Sequence, residues 1–139
     1  MINKKTLEIK LIDFGSTMPI TKDPTTTFYG TQKFSCPEAL CGQAYYLDDQ
    51  EMWALGTLLY VLLFKMDPFG NDDEIMDLPI ETRIEAIRNN VYGKSCPTVS
   101  ISDAAAESIV MMLNKDPLCR PKIDELLELP IFLQSEVDN

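Results

Sequence analysis

The sequence predicts a mainly α domain with one short strand, or a hairpin, at its N-terminal end. Three observations predict it. The run Met52–Phe64 is apolar and free of charge, and has the length of a buried core helix. Downstream of it, apolar residues recur at three- and four-residue spacing in three further segments. Upstream, period-two alternation occurs in one place only. With 139 residues, 45% hydrophobic and 24% charged, the chain has the balance of one globular domain.

The elements follow in order. Leu7, Ile9 and Leu11 alternate with Glu8 and Lys10, which predicts a half-buried strand over 6–12. Residues 16–29 carry Pro19, Pro24 and the consecutive threonines Thr25, Thr26 and Thr27, and read as a long loop. A short helix follows Pro37, with Glu38, Ala39 and Leu40 in its first turn. Asp48, Asp49 and Glu51 precede the Met52–Phe64 helix, where acids complement the positive end of a helix dipole. That helix is apolar all round, so neighbours must cover every side; its stripe Met52, Leu55, Leu59, Leu63 is one among several, and at least one stripe is expected to stay open.

A second helix is expected over 79–90, with Pro79 in the first turn and Ile80, Ile84 and Ile87 on one face. Ser102 caps a third over 103–114, striped by Ala105, Ile109 and Leu113. Pro121 opens a fourth, which turns Ile123, Leu126 and Leu127 inward and ends at Pro130. Residues 135–139 read as a polar tail.

Composition narrows the function. The net charge of −10 repels phosphate backbones and anionic lipid, so neither nucleic acid nor membrane is an expected partner. With no histidine, His-centred triads, His acid–base catalysis and His-ligated metals are excluded. Cys36, Cys41, Cys96 and Cys119 form no C-x-x-C pair and are expected to be free thiols in an intracellular, cytoplasmic setting.

A series of motifs then appears in a fixed order. Lys10-Leu11-Ile12-Asp13-Phe14-Gly15 is similar to the strand and D-F-G motif that open the activation segment of a eukaryotic protein kinase. Gly30-Thr31-Gln32-Lys33-Phe34-Ser35-Cys36-Pro37-Glu38 resembles the G-T-x-x-Y-x-A-P-E that closes it. Trp53-Ala54-Leu55-Gly56 resembles the W-x-x-G of the central helix, and Asp67-Pro68-Phe69 the P-F of the following loop. Asp116 to Pro121 resembles D-P-x-x-R, and Glu125-Leu126-Leu127 with Pro130-Ile131-Phe132 the closing E-L-L-x-H-P-W/F. The chain thus resembles the C-terminal half of a Ser/Thr protein kinase domain, the helical C-lobe, over residues 1–134. Gly30-Thr31 marks the Ser/Thr rather than the Tyr branch. The run Ile9–Ser16 and Phe28 resemble the calmodulin-dependent group, and within it the PAS-domain kinases.

The resemblance implies phosphoryl transfer from Mg·ATP to protein hydroxyls. Asp13 would hold Mg²⁺ against the ATP phosphates, a hard ion on an oxygen ligand. Phe14 would pack into the regulatory spine and Gly15 would give the backbone its turn. Gly30 would leave room for substrate backbone, and Thr31 would help hold the catalytic loop. Glu38 and Arg120 would form a buried ion pair, for which planar Arg suits a carboxylate. Trp53 would sit in the core. Glu51 stands where the family usually has an aspartate that receives catalytic-loop N–H groups. Thr25, Thr26 and Thr27 are candidate phosphorylation sites, an unmodified polar loop being the plainer reading. Cys36 replaces the alanine of A-P-E, and Phe34 replaces a tyrosine.

The Gly-rich loop, the V-A-I-K lysine and the H-R-D-x-x-x-x-N loop have no counterpart in these residues. The polypeptide is therefore not expected to catalyse phosphoryl transfer by its own residues. Three readings stay open: half of a kinase completed by a complementary half, a non-catalytic module that binds kinases or protein substrates, or a truncated product without function.

Overall fold

The computed structural model describes residues 1–69, 79–91 and 100–133. Six helices lie in these residues: α1 Pro37–Leu40, α2 Leu47–Phe64, α3 Ile80–Val91, α4 Asp103–Met112, α5 Ile123–Leu127 and α6 Pro130–Leu133. Three 3₁₀ turns, Phe14–Ser16, Gln32–Phe34 and Pro117–Cys119, punctuate the rest.

Helix α2 is the axis. It starts at Leu47, earlier than the apolar run, and takes Asp48 and Asp49 into its first turn, where acids complement the positive end of the helix dipole. It ends at Lys65, whose left-handed backbone (φ 59) turns its N–H onto the Val61 carbonyl at 2.9 Å. Asp49, Met52, Trp53, Gly56, Thr57, Tyr60 and Phe64 form the buried stripe. The opposite stripe, Leu55, Leu58 and Leu62, is 39%, 51% and 55% exposed. An open stripe thus exists, but it is displaced from the Met52–Leu63 line, since Met52 is buried and Leu59 packs against the core.

The main packing is of α2 on α4, with α3 laid against α4. Gly56 makes the first contact possible: a Cβ there would lie 2.8 Å from the Met112 Cβ and 3.0 Å from Leu113. The core joins Trp53, Tyr60 and Phe64 of α2 to Ile84 and Ile87 of α3 and to Ala106, Ile109 and Leu113 at α4. The Ser102 hydroxyl accepts the Ala105 N–H at 3.2 Å and starts α4. The buried Thr57 and Ser108 hydroxyls are satisfied within their own helices: Thr57 donates to the Trp53 carbonyl and Ser108 to that of Ala104.

Three expectations change. The strand over 6–12 does not form; a single antiparallel bridge, Ile2 to Ile9, marks the place. Leu7 has φ 60 and its N–H turns back to the Asn3 carbonyl, which breaks an extended run, and Leu7, Ile9 and Leu11 are exposed. Helix α5 begins at Ile123 and buries Leu126, while Ile123 and Leu127 stay exposed. Pro130 does not only stop that helix; it opens α6, where a proline needs no N–H partner. Cys96, the polar tail 135–139 and the segment after Phe69 lie outside the described residues.

Candidate functional site

A cleft of about 550 Å³ lies between the 11–20 segment and the N-terminal half of α2. Asp13, Phe14, Gly30, Thr31 and Glu51 all line it, together with Phe34, Tyr45 and Gln50. Residues apart in sequence are thus gathered on one surface.

Asp13 caps the Phe14–Ser16 turn. Its backbone is left-handed (φ 61, ψ 73), and one carboxylate oxygen accepts the Gly15 N–H at 3.4 Å. The left-handed conformation is uncommon for a residue with a side chain, although Asp and Asn tolerate it best. The carboxylate is exposed and keeps its second oxygen for another ligand. Among the described residues no group of three or more acids or cysteines forms a metal cage. One carboxylate fits a Mg²⁺ ion that takes most of its ligands from water and substrate phosphates, and does not fit a dedicated protein site.

Phe14 is 66% exposed at the cleft, so the packed position implied for it is not formed within these residues. Helices α2, α3 and α4 pack against one another, and among the described residues none buries the ring. Gly30 has φ 95, a backbone that disfavours any side chain. Thr31 precedes the Gln32–Phe34 turn, and its carbonyl accepts both the Phe34 N–H at 3.0 Å and the Ser35 hydroxyl at 3.1 Å. Glu51 is exposed on α2, facing the same cleft.

Beneath the cleft, Arg120 ties the chain together. Its NH1 and NH2 groups donate to the two Glu38 oxygens at 2.5 and 2.9 Å. Its remaining N–H groups reach the carbonyls of Asn114, Lys115 and Asp49. The Arg120 side chain is fully buried and Glu38 is 8% exposed. Burial alone would raise the Glu38 carboxyl, but the Arg120 hydrogen bonds outweigh it and hold the group below its ordinary value. The guanidinium lies 5.0 Å from the Trp53 ring centre, and Trp53 stacks on Phe69 at 5.6 Å and 2°. Lys122 is paired at the exposed edge: its ammonium reaches Asp49 at 2.6 Å and Asp48 at 3.0 Å, which raises its pKa. Burial pushes the Cys36 thiol up to about 12, so it stays protonated.

Thr25 is anchored, while Thr26 and Thr27 are exposed. Thr25 exchanges both main-chain bonds with Tyr45 at 2.9 Å, and its hydroxyl accepts the Thr27 N–H. Sequence reasoning passed over two residues here. The Tyr45 hydroxyl donates to the Thr27 carbonyl at 2.8 Å. The Gln50 amide donates to the Phe34 carbonyl at 3.0 Å and accepts the Cys36 N–H at 2.8 Å. Neither lies in a motif, and side-chain bonds to a distant main chain leave no spacing signal.

Residues 1–132 match the protein kinase domain family. The chain belongs to that family. It is 35% identical over 120 residues to serine/threonine-protein kinase PSK2 of Saccharomyces cerevisiae, covering 86% of this chain and 10% of that protein. It is 30% identical over 139 residues to serine/threonine-protein kinase pim-2 of Danio rerio, covering 100% of this chain and 40% of that protein. It is 42% identical over 73 residues to a PAS domain-containing serine/threonine-protein kinase of Mus musculus, covering 52% of this chain and 5% of that protein. The chain therefore spans less than half the length of these relatives and carries part of a Ser/Thr kinase-like domain. The family in general uses ATP and Mg²⁺ and acts on protein substrates. Among the described residues no helix is long and apolar enough to cross a membrane.

Proposed function

We propose that the chain supplies the helical lobe of an intracellular Ser/Thr protein kinase, and that it phosphorylates protein hydroxyls only when joined to the rest of the catalytic domain. The cleft carries this reading, because it gathers Asp13, Gly30, Thr31 and Glu51 beside α2. Asp13 would offer Mg²⁺ its free oxygen. Gly30 and Thr31 would face the substrate, and Glu51 would accept N–H groups of an incoming catalytic loop. The ion, when bound with ATP, neutralises charge on the phosphates. Positioning and charge neutralisation make up nearly all of kinase catalysis, and a phosphate-cradling loop, a lysine and a general base must come from other residues.

The open stripe Leu55, Leu58 and Leu62 supports a complementary half as partner, since covering each half-exposed side chain gains roughly 1 kcal/mol. The test mixes the 139-residue chain with a polypeptide bearing the Gly-rich loop, the V-A-I-K lysine and the H-R-D loop of a related kinase. Phosphorylation of a peptide is expected from the mixture alone, and is expected to vanish with Asp13→Asn. Firm binding of the two parts without turnover would leave a non-catalytic interaction module. Turnover by the single chain that Asp13→Asn abolishes would refute the need for a partner.

A further inference from the structure

The segment from Thr25 to Cys36 crosses the cleft with almost no buried side chain before Ser35. Apolar burial therefore does not hold it. Hydrogen bonds at its two ends do, with an ion pair from half-exposed Lys33 to Asp67 at 3.7 Å between them. At one end Thr25 and Tyr45 exchange both main-chain bonds at 2.9 Å, and the Tyr45 hydroxyl reaches the Thr27 carbonyl at 2.8 Å. At the other end Gln50 brackets Ser35, donating to the Phe34 carbonyl at 3.0 Å and accepting the Cys36 N–H at 2.8 Å. Tyr45 is 3% exposed, and Gln50 stands on the rigid first turns of α2. Gly30 and Thr31 hang between these two anchors.

We infer that Tyr45 and Gln50 are positioning residues, a two-point clamp whose side chains fix the path of residues 25–36 and so the placement of Gly30 and Thr31 over the cleft. The clamp acts on main-chain atoms, so it sets the shape of the segment whatever side chains it carries. Its tightness follows from chemistry: a phenol and a primary amide reach carbonyl and N–H groups that would otherwise bond to water and let the segment wander. The part played in substrate placement rests on the kinase reading above; the clamp itself does not.

Tyr45→Phe keeps the ring and removes only the donor, and Gln50→Leu keeps the bulk and removes both bonds. Amide hydrogen exchange on the 139-residue chain is expected to speed up about tenfold at Thr25 and Thr27 in the first variant and at Cys36 in the second, with α4 unchanged. Faster exchange spread equally over α4 would show a merely structural role and overturn the inference. So would unchanged exchange in both variants, or a wild-type segment no better protected than a free peptide. In the mixture with a complementary half, each variant is expected to raise the peptide KM severalfold while leaving the ATP KM alone; equal changes in both would overturn the positioning role. Should the wild-type mixture show no turnover, the kinase reading fails, and the exchange measurement still judges the clamp.

Discussion

Residues 1–34 and residues 35–133 both carry patterned apolar side chains, with opposite outcomes. The first stretch holds Ile2, Leu7, Ile9, Leu11, Ile12, Phe14, Met18 and Ile20, every one exposed, and no residue of it is buried. Burial begins at Ser35, and from there α2, α3 and α4 enclose Trp53, Tyr60, Ile87 and Ile109 to 1% exposure or less. The difference is one of partners. Helices α2, α3 and α4 each pack apolar side chains against another helix. The N-terminal stretch meets the later residues through hydrogen bonds at Thr25, Thr27 and Phe34, not through an apolar face of its own. An apolar pattern specifies a face, and a core requires two faces.

Three measurements break or sharpen this contrast. The largest effect belongs to the ion pair that holds the buried region together. Arg120→Ala leaves Glu38 buried without its cation and is expected to cost about 3–5 kcal/mol, read as a fall in the denaturation midpoint. The pH dependence has a definite sign. Glu38 is held below its ordinary value of 4.5, so its contribution is full above that value and is lost as pH falls through the lower, folded one. That acid loss is expected to disappear in the variant. Equal midpoints for wild type and Arg120→Ala would show that the pair contributes nothing.

The next effect tests the packing of α2 on α4. Gly56→Ala forces a Cβ against Met112 and is expected to cost about 1–2 kcal/mol, after the roughly 1 kcal/mol that alanine gains over glycine in a helix. A stabilised variant would mean that the helices part easily. The smallest effect lies in the N-terminal stretch. Ile9→Ser is expected to change stability by less than about 0.5 kcal/mol in this chain, since Ile9 is 76% exposed. With a complementary half present, the same substitution is expected to weaken binding by about 1.5–3 kcal/mol if that half covers Ile9. A large loss in the single chain would place Ile9 in a core and erase the contrast.

The helical part was legible because its signals are local. The Ile80, Ile84 and Ile87 stripe, the Ser102 cap and the Ala105, Ile109 and Leu113 stripe follow from spacing alone, and all appear. The strand over 6–12 was not legible as to outcome, because a strand depends on a neighbour that its own alternation cannot supply. The start of α5 shifted because the Glu125 carboxylate takes the Lys122 N–H and fixes the first turn there. In the site, Asp13, Gly30, Thr31, Glu38 and Arg120 could be located through motif order, which carries contacts that spacing does not: Glu38 and Arg120 stand 82 positions apart. Tyr45 and Gln50 carry no motif and could be found only in three dimensions.

The burial of Cys36 gives the protein an internal clock. Cys41 and Cys119 are exposed, whereas Cys36 is sealed at 0% exposure with its thiol pushed up to about 12. An alkylating reagent at neutral pH therefore modifies Cys41 and Cys119 on contact and finds neither access nor thiolate at Cys36. Modification at Cys36 must await an excursion that lifts the α1 turn off α2. Where reclosing is slow, its labelling rate is the frequency of that excursion; where reclosing is fast, it reports the fraction of time spent open. A single sulfur atom thus converts the breathing of the Glu38 anchor into a mass increment that accumulates with time.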